Sequence, residues 1–242
     1  MEKCIRQISK ALAALLIFSI ISFTLSSQTI PYKNKIRFVL WSNVDAYPGL
    51  KTDDSNDSTP SAYSENNIFN FAINSIRDIG PYLVNGMVYG WSFSYTPYDK
   101  TRGVEEQLKI EPLISQKVVE KGVTYSSPWV ENNIFNCWCE YERAPYEVQE
   151  YERWAVIQNP VIHGIGYGNL ADGFEGIKAA AADALKNALR TYYRNVIKNK
   201  PKEITGKVLI KTAPLIGVDA GRYMINLDFF LERGKIIEYK VF

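Results

Sequence analysis

The stretch from His163 to Pro201 limits the possible folds more than any other part of the chain. Gly164, Gly166 and Gly168 alternate along an apolar strand pattern, and a long amphipathic segment follows. Phe174, Ile177, Ala181, Leu185, Ala188, Tyr192 and Val196 recur every three or four residues. That spacing places them on one stripe of a helix with a 3.6-residue period. Asp172 and Glu175 have the form of a capping box, in which an Asp accepts from first-turn N–H groups and a Glu reaches back. Pro201 cannot continue the backbone ladder, so the spacing predicts a helix over 172–200. At about 1.5 Å per residue such a helix is roughly 40 Å long. Its stripe needs a sheet or a second helix to cover it, and the alanines at 179–182 let a neighbour approach closely.

Another face of the same helix carries Lys186, Arg190, Arg194 and Lys198, four residues apart. Two readings stand. One is a basic stripe for phosphate, lipid headgroups or an acidic partner. The other is a solvated face near a helix C-terminus, where cations are favoured by the dipole.

Lys3, Arg6 and Lys10 precede an apolar run from Ala11 to Leu25, and Ser26 and Ser27 follow. This is the pattern of a secretory signal peptide over 1–27. The run is short for a bilayer span, which needs about 20 residues, and no later stretch is apolar enough to cross. Cys4 lies before the apolar run, where a lipid-attachment cysteine does not belong. The leader holds three of the 28 basic residues and one of the 26 acidic ones, leaving 25 of each. A neutral body gives no support to nucleic-acid binding. The expected address is the periplasm or the outer membrane, with a soluble body.

The rest of the chain alternates strand and helix signals. Strands are expected over 35–41, 82–95, 104–110, 118–125, 134–141, 154–157, 161–165, 204–212, 222–231 and 236–242. A hairpin turn is expected at 232–235, and a polar loop at 51–64. A shorter helix is expected from Ser64, ended by Gly80 and Pro81. The class is α+β: a mainly antiparallel sheet packed by one long helix in the C-terminal half and one shorter helix. It divides into an N-terminal α+β lobe over 28–145 and a C-terminal α+β lobe over 146–242.

No complete catalytic motif is present. The glycines at 164, 166 and 168 suggest a dinucleotide loop, but the third glycine belongs three positions after the second, and Asn169 stands there instead. The bland reading is a strand whose glycines let another backbone lie close. His163 is the one histidine, so any histidine chemistry must use it. The glutamates at 140, 142, 147, 150 and 152 are candidates for paired-carboxylate hydrolysis or a solvated strand face. Cys137 and Cys139 point to one face of a strand, as a redox pair, two metal ligands or core residues. No other Cys or His sits at ligand spacing, so neither a metal nor a cofactor is expected. Trp91, Phe93 and Tyr95 alternate on one strand, either as a stacking platform for sugars or peptides or as core.

The segment HGIGYGNLADGFEGIKAAAADALKNALRTYYRN, His163 to Asn195, resembles the small-lipoprotein and flagellar-assembly protein T N-terminal-type domains of bacterial envelopes. The likeness covers about 80 C-terminal residues and implies a non-catalytic envelope role, sometimes at the flagellar basal body. Taken together, a secreted, non-enzymatic envelope protein that binds other proteins is expected. The binding candidates are Trp91, Phe93, Tyr95, Lys186, Arg190, Arg194 and Lys198. The alternatives are a carbohydrate- or peptidoglycan-binding module on the aromatic row and a hydrolase on His163 and the glutamates. The oligomeric state is not legible.

Overall fold

A computed structural model describes residues 34–44 and 69–239. The leader at 1–27, the polar loop at 51–64 and the helix start at Ser64 lie outside the described residues. The elements are β1 (Lys35–Asn43), α1 (Asn70–Val88), β2 (Trp91–Thr96), β3 (Gln107–Pro112) and α2 (Lys117–Glu120). Then come β4 (Thr124–Glu131), β5 (Ile134–Glu142), α3 (Pro145–Trp154), β6 (Val161–Asn169) and α4 (Gly173–Val196). The chain closes with β7 (Glu203–Ile210), β8 (Leu215–Asp219) and β9 (Arg222–Ile237).

The α+β class is as expected, with antiparallel sheets throughout the described residues. A three-stranded sheet runs β1-β5-β4. A larger, curled sheet runs β3-β2-β7-β9-β6, with β8 also on β9. Because β2 pairs with β7, the larger sheet takes strands from both sides of residue 145. The two sheets therefore do not follow the 28–145 and 146–242 division.

The glycine row on β6 is where α4 docks. A Cβ on Gly164 would stand 2.0 Å from the Ala184 carbonyl oxygen, and one on Gly168 would stand 1.9 Å from the Gly176 oxygen. On Gly166 it would meet the Ala184 nitrogen at 2.1 Å and the Ala180 oxygen at 2.2 Å. The helix answers with its smallest residues: Ala180, Ala181, Ala184 and Ala188 are fully buried there. Glycine opposite alanine brings two backbones closer than larger side chains allow. On the same side of the sheet Tyr223, Ile225, Leu227, Phe229 and Leu231 of β9 alternate inward and are all buried, the face their spacing predicts.

β6 is an edge strand, and α4 also covers part of that edge. The Tyr167 amide donates to Asp183 Oδ2 at 3.1 Å, and Asn187 Nδ2 donates to the Ile165 carbonyl at 2.8 Å. Unpaired edge groups invite a second strand, and these two side chains occupy them. On the smaller sheet the edge strand β4 carries Pro128 and an irregular register between Ser126 and Trp129. Asn132 and Asn133, both at positive φ, make the two-residue turn into β5.

Several expected boundaries move. α4 ends at Val196, because Ile197 is already extended (φ −113°, ψ 124°), so the helix over 172–200 is shorter and Pro201 does not stop it. Asp172 makes no side-chain cap, and Glu175 pairs with Lys178 instead of reaching back. The stripe also turns at its end: Tyr193 is buried where Tyr192 was expected, and Val196 is 52% exposed. Gly80 and Pro81 do not end α1, which runs seven residues further to Val88. Its second half is buried nearly all round between the two sheets, and that packing outweighs the lost hydrogen bond at the proline. Tyr82 to Val88 is therefore helix, and Gly90, at φ +81°, makes the turn into β2. The segment holding Glu147, Glu150 and Glu152 is helix α3, opened by Pro145. No hairpin forms at 232–235: β9 runs straight through, and Gly234 there faces Thr205 of β7, whose oxygen would be 2.5 Å from a Cβ.

Candidate functional site

The C-terminal end of α4, the extended link that follows it and the end of β2 surround a cleft of about 550 Å³. β2 delivers Tyr95 and then Pro97 and Tyr98, while α4 delivers Arg190, Tyr193 and Arg194. Ile197, Pro201 and Ile204 make its apolar wall. Four of the seven binding candidates therefore line one cleft: Tyr95, Arg190, Arg194 and Lys198. Lys186 lies one turn further back, paired with Asp183 at 2.9 Å, outside the cleft.

Glu106, on the segment before β3, organises the cleft floor. It accepts from the Tyr95 hydroxyl at 2.6 Å and from Arg190 through both Nε, at 2.9 Å, and Nη2. Burial pushes the Glu106 carboxyl up, but the hydrogen bonds from Arg190 and Tyr95 outweigh it and leave it below the usual range. Burial and the Glu106 contact raise the Tyr95 hydroxyl, which stays protonated. The result is a fixed guanidinium with its charge already matched. Further out, Arg194 and Lys198 are exposed, and among the described residues neither has an ion-pair partner.

A second hollow of about 590 Å³ borders the same link and shares Lys198, Asn199 and Lys200 with the first. Here Asp99 accepts from Thr101 and Arg102, whose hydrogen bonds hold its carboxyl down at about 2. Arg102 also lies over the Tyr239 ring at 4.3 Å, and Lys200 over Tyr98 at 5.8 Å. Across the two hollows six cations meet three carboxylates, Glu106, Asp99 and Glu238. The excess of three exceeds the roughly half negative charge of a helix C-terminus. The body over 28–242 is neutral in total, so the compensating negative charge lies elsewhere on it.

The remaining candidates sit elsewhere. Trp91 is 1% exposed and Phe93 4%. Trp91 stacks on Tyr82 at 5.2 Å under the Gly86 turn of α1, so neither ring presents a face to a sugar. This corrects their place among the binding residues: they fill the space between helix and sheet. His163 holds Nδ1 2.9 Å from Asp228 Oδ1, and Asp228 accepts from Thr212 through its other oxygen at 3.3 Å. The glutamates do not join it. Glu140 pairs with Lys35 at 2.7 Å and Arg37 at 2.9 Å on the smaller sheet, and Glu150 pairs with Arg153. Cys137 and Cys139 are buried free thiols, and burial raises both, Cys137 to about 11. Among the described residues no group of three His, Cys, Asp or Glu side chains is arranged to hold a metal. The space above the β6 glycines is filled by the α4 backbone, where a dinucleotide phosphate would have to sit.

Sequence reasoning missed a buried polar cluster. Glu147 is 2% exposed and accepts from Tyr89 at 2.5 Å, Tyr141 at 3.0 Å, Tyr146 at 3.2 Å and the Ala144 amide at 2.9 Å. Beside it Arg143 donates to the Met87 carbonyl at 2.9 Å, closing the C-terminal end of α1. The signal was present in Ala144-Pro145 with Glu147 behind it, a helix start in which the Glu reaches back. The second hollow was missed as well, although Lys198, Lys200 and Lys202 around Pro201 extend the basic stripe beyond the helix.

Comparison with known proteins bears on the whole body. An uncharacterised protein of Treponema pallidum (strain Nichols) is 27% identical over 213 residues, which is 86% of this chain and 83% of the relative. No solved structure matches. Among the described residues no helix is long and apolar enough to cross a membrane. The resemblance to small-lipoprotein and flagellar-assembly protein T domains is corrected: neither family is found, and the match extends through the N-terminal half as well. A strand of spaced glycines under an alanine-rich helix is a packing solution open to many folds, which is why it misled. The chain belongs to the family of uncharacterised proteins whose model matches residues 24–239.

Proposed function

We propose that this is a secreted, non-catalytic protein of the cell envelope that binds a partner protein through the cleft at the end of α4. The observation that carries the reading is the convergence of the exposed Tyr98, Arg194 and Lys198 on one hollow of small-ligand size, over a floor in which the buried Tyr95 holds Glu106. Aromatic walls with exposed cations above a pre-paired Arg190–Glu106 floor suit a group that is partly apolar and partly anionic. The basic leader and apolar run at 1–27 support export. The separation of His163 from the glutamates gives hydrolysis no assembled site to rest on.

A photo-crosslinking residue at position 198 tests the reading in cells. The expected result is a crosslink to an envelope protein, lost when Arg194→Glu is added. Recovery of the chain in the cytosol, or crosslinks indifferent to Arg194→Glu, would overturn it.

A further inference from the structure

We infer that the two hollows form one groove for an extended acidic polypeptide segment, its carboxylates on the outer cations and its apolar side chains against Tyr98 and Tyr239. The inference rests on the cleft reading above and names the chemistry of the partner. Three observations carry it.

The hollows adjoin. Lys198, Asn199 and Lys200 border both, so a single stretch of chain separates a ligand in one from the other. Each half, at about 550 and about 590 Å³, already has the size of a small-molecule site, and the two in line exceed what one small ligand fills.

The charges are sparse and mixed. Glu106 and Asp99 are matched within the protein by Arg190 and Arg102. Arg194, Lys198 and Lys100 have no ion-pair partner among the described residues, and they lie along the outer rim. A densely charged polyanion would crowd Glu238, the carboxylate of the two hollows that has no ion-pair partner among the described residues. A segment with a few spaced carboxylates meets only the open cations.

The walls between the cations are apolar and rigid. Pro97, its φ fixed by its ring, stands beside Tyr98, which is 48% exposed, and Pro201 is buried behind the link. Asn199 sits where the hollows meet, and its side-chain amide offers a donor and an acceptor to a passing peptide group.

Binding of fluorescein-labelled peptides to the purified protein decides the matter. One peptide is an acidic, tyrosine-containing chain of about ten residues, roughly 33 Å when extended. The other is the tripeptide Glu-Tyr-Glu. Charge reversal at Arg194→Glu is expected to weaken both peptides about tenfold, and Lys100→Glu only the long one, a change of about 1.4 kcal/mol. Lys121→Glu, at an exposed position that lines neither hollow, controls for net charge. Failure of both peptides to bind would overturn the cleft reading itself. Binding of both with no effect of Lys100→Glu would overturn the continuous groove and leave the cleft. A sulfated glycan held more tightly than the long peptide, and lost in the same variants, would overturn the polypeptide assignment.

Discussion

Replacing Gly166 by alanine tests the contact on which the larger layer is built. An alanine Cβ would stand 2.1 Å from the Ala184 nitrogen and 2.2 Å from the Ala180 oxygen, where ordinary contact begins at 3.4 Å. Both obstacles are backbone atoms of α4, so no side chain can swing aside. The helix must move outward by more than about 1 Å, and a gap of 0.5–1 Å elsewhere along the seam already forfeits roughly a quarter to a half of each dispersion contact. Overpacking of this kind costs about 3 kcal/mol, the upper part of its usual range. Alanine restricts the unfolded chain more than glycine does, which offsets up to about 1 kcal/mol. The net loss is therefore about 2–3 kcal/mol, read as a lower urea midpoint at unchanged slope and a Tm lower by roughly 5–10 °C. Gly217→Ala is the matched control, since its nearest neighbour is Met224 Cε at 3.7 Å. If the two variants unfold at the same urea concentration, the glycine row is not what seats the helix.

Three further outcomes are expected. Glu147→Gln turns one acceptor oxygen into a donor facing three tyrosine hydroxyls and should lose roughly 2–4 kcal/mol, with Tyr89→Phe losing about 1; equal urea midpoints for Glu147→Gln and the native protein would refute the cluster's role. Glu106 and Asp99 have folded-state carboxyl values below the unfolded ones, Asp99 at about 2. Their stabilisation is complete above the ordinary carboxylate range near pH 4 and drains as pH falls through the folded values, so urea stability should drop between pH 5 and pH 2 of about that window. Glu106→Gln should flatten that fall, and an unchanged pH slope would count against the pairing with Arg190. Alkylation with peptide mapping should leave Cys137 and Cys139 unmodified in the native protein near neutral pH and label both in denaturant, because burial keeps them as thiols; rapid native labelling would contradict their burial.

The sequence carried the long helix because its packing partner was written beside it: small residues on β6 and small residues on α4 repeat at their own periods. The inward face of β9 was equally plain, since Tyr223 to Leu231 alternate without exception. What failed were the stops. Gly80-Pro81 and Pro201 are local terminators, and local signals lose when tertiary burial of α1 holds its backbone on every side, or when the chain leaves α4 four residues early. β8 went unseen because its five residues are half exposed and Gly217 breaks the pattern. The cleft was partly visible. Arg190, Arg194 and Lys198 share a helical period, but Tyr95 reached them only through the pairing of β2 with β7, which no local spacing encodes. Glu106 and Lys100 depend on the same long-range register. Trp91 and Tyr95 alternate identically in sequence, yet one faces the last turns of α1 and the other the end of α4.

Asp183 and Asn187 give α4 a second duty. While the helix is seated, two backbone groups on the rim of β6 are answered from within the chain. Should the helix lift, glycine-rich β6 loses its cover and its blocked rim at one stroke, and an open strand edge faces the surroundings. Loosening of the helix thus opens a route to strand-on-strand association, and the seam that steadies the fold also blocks that route.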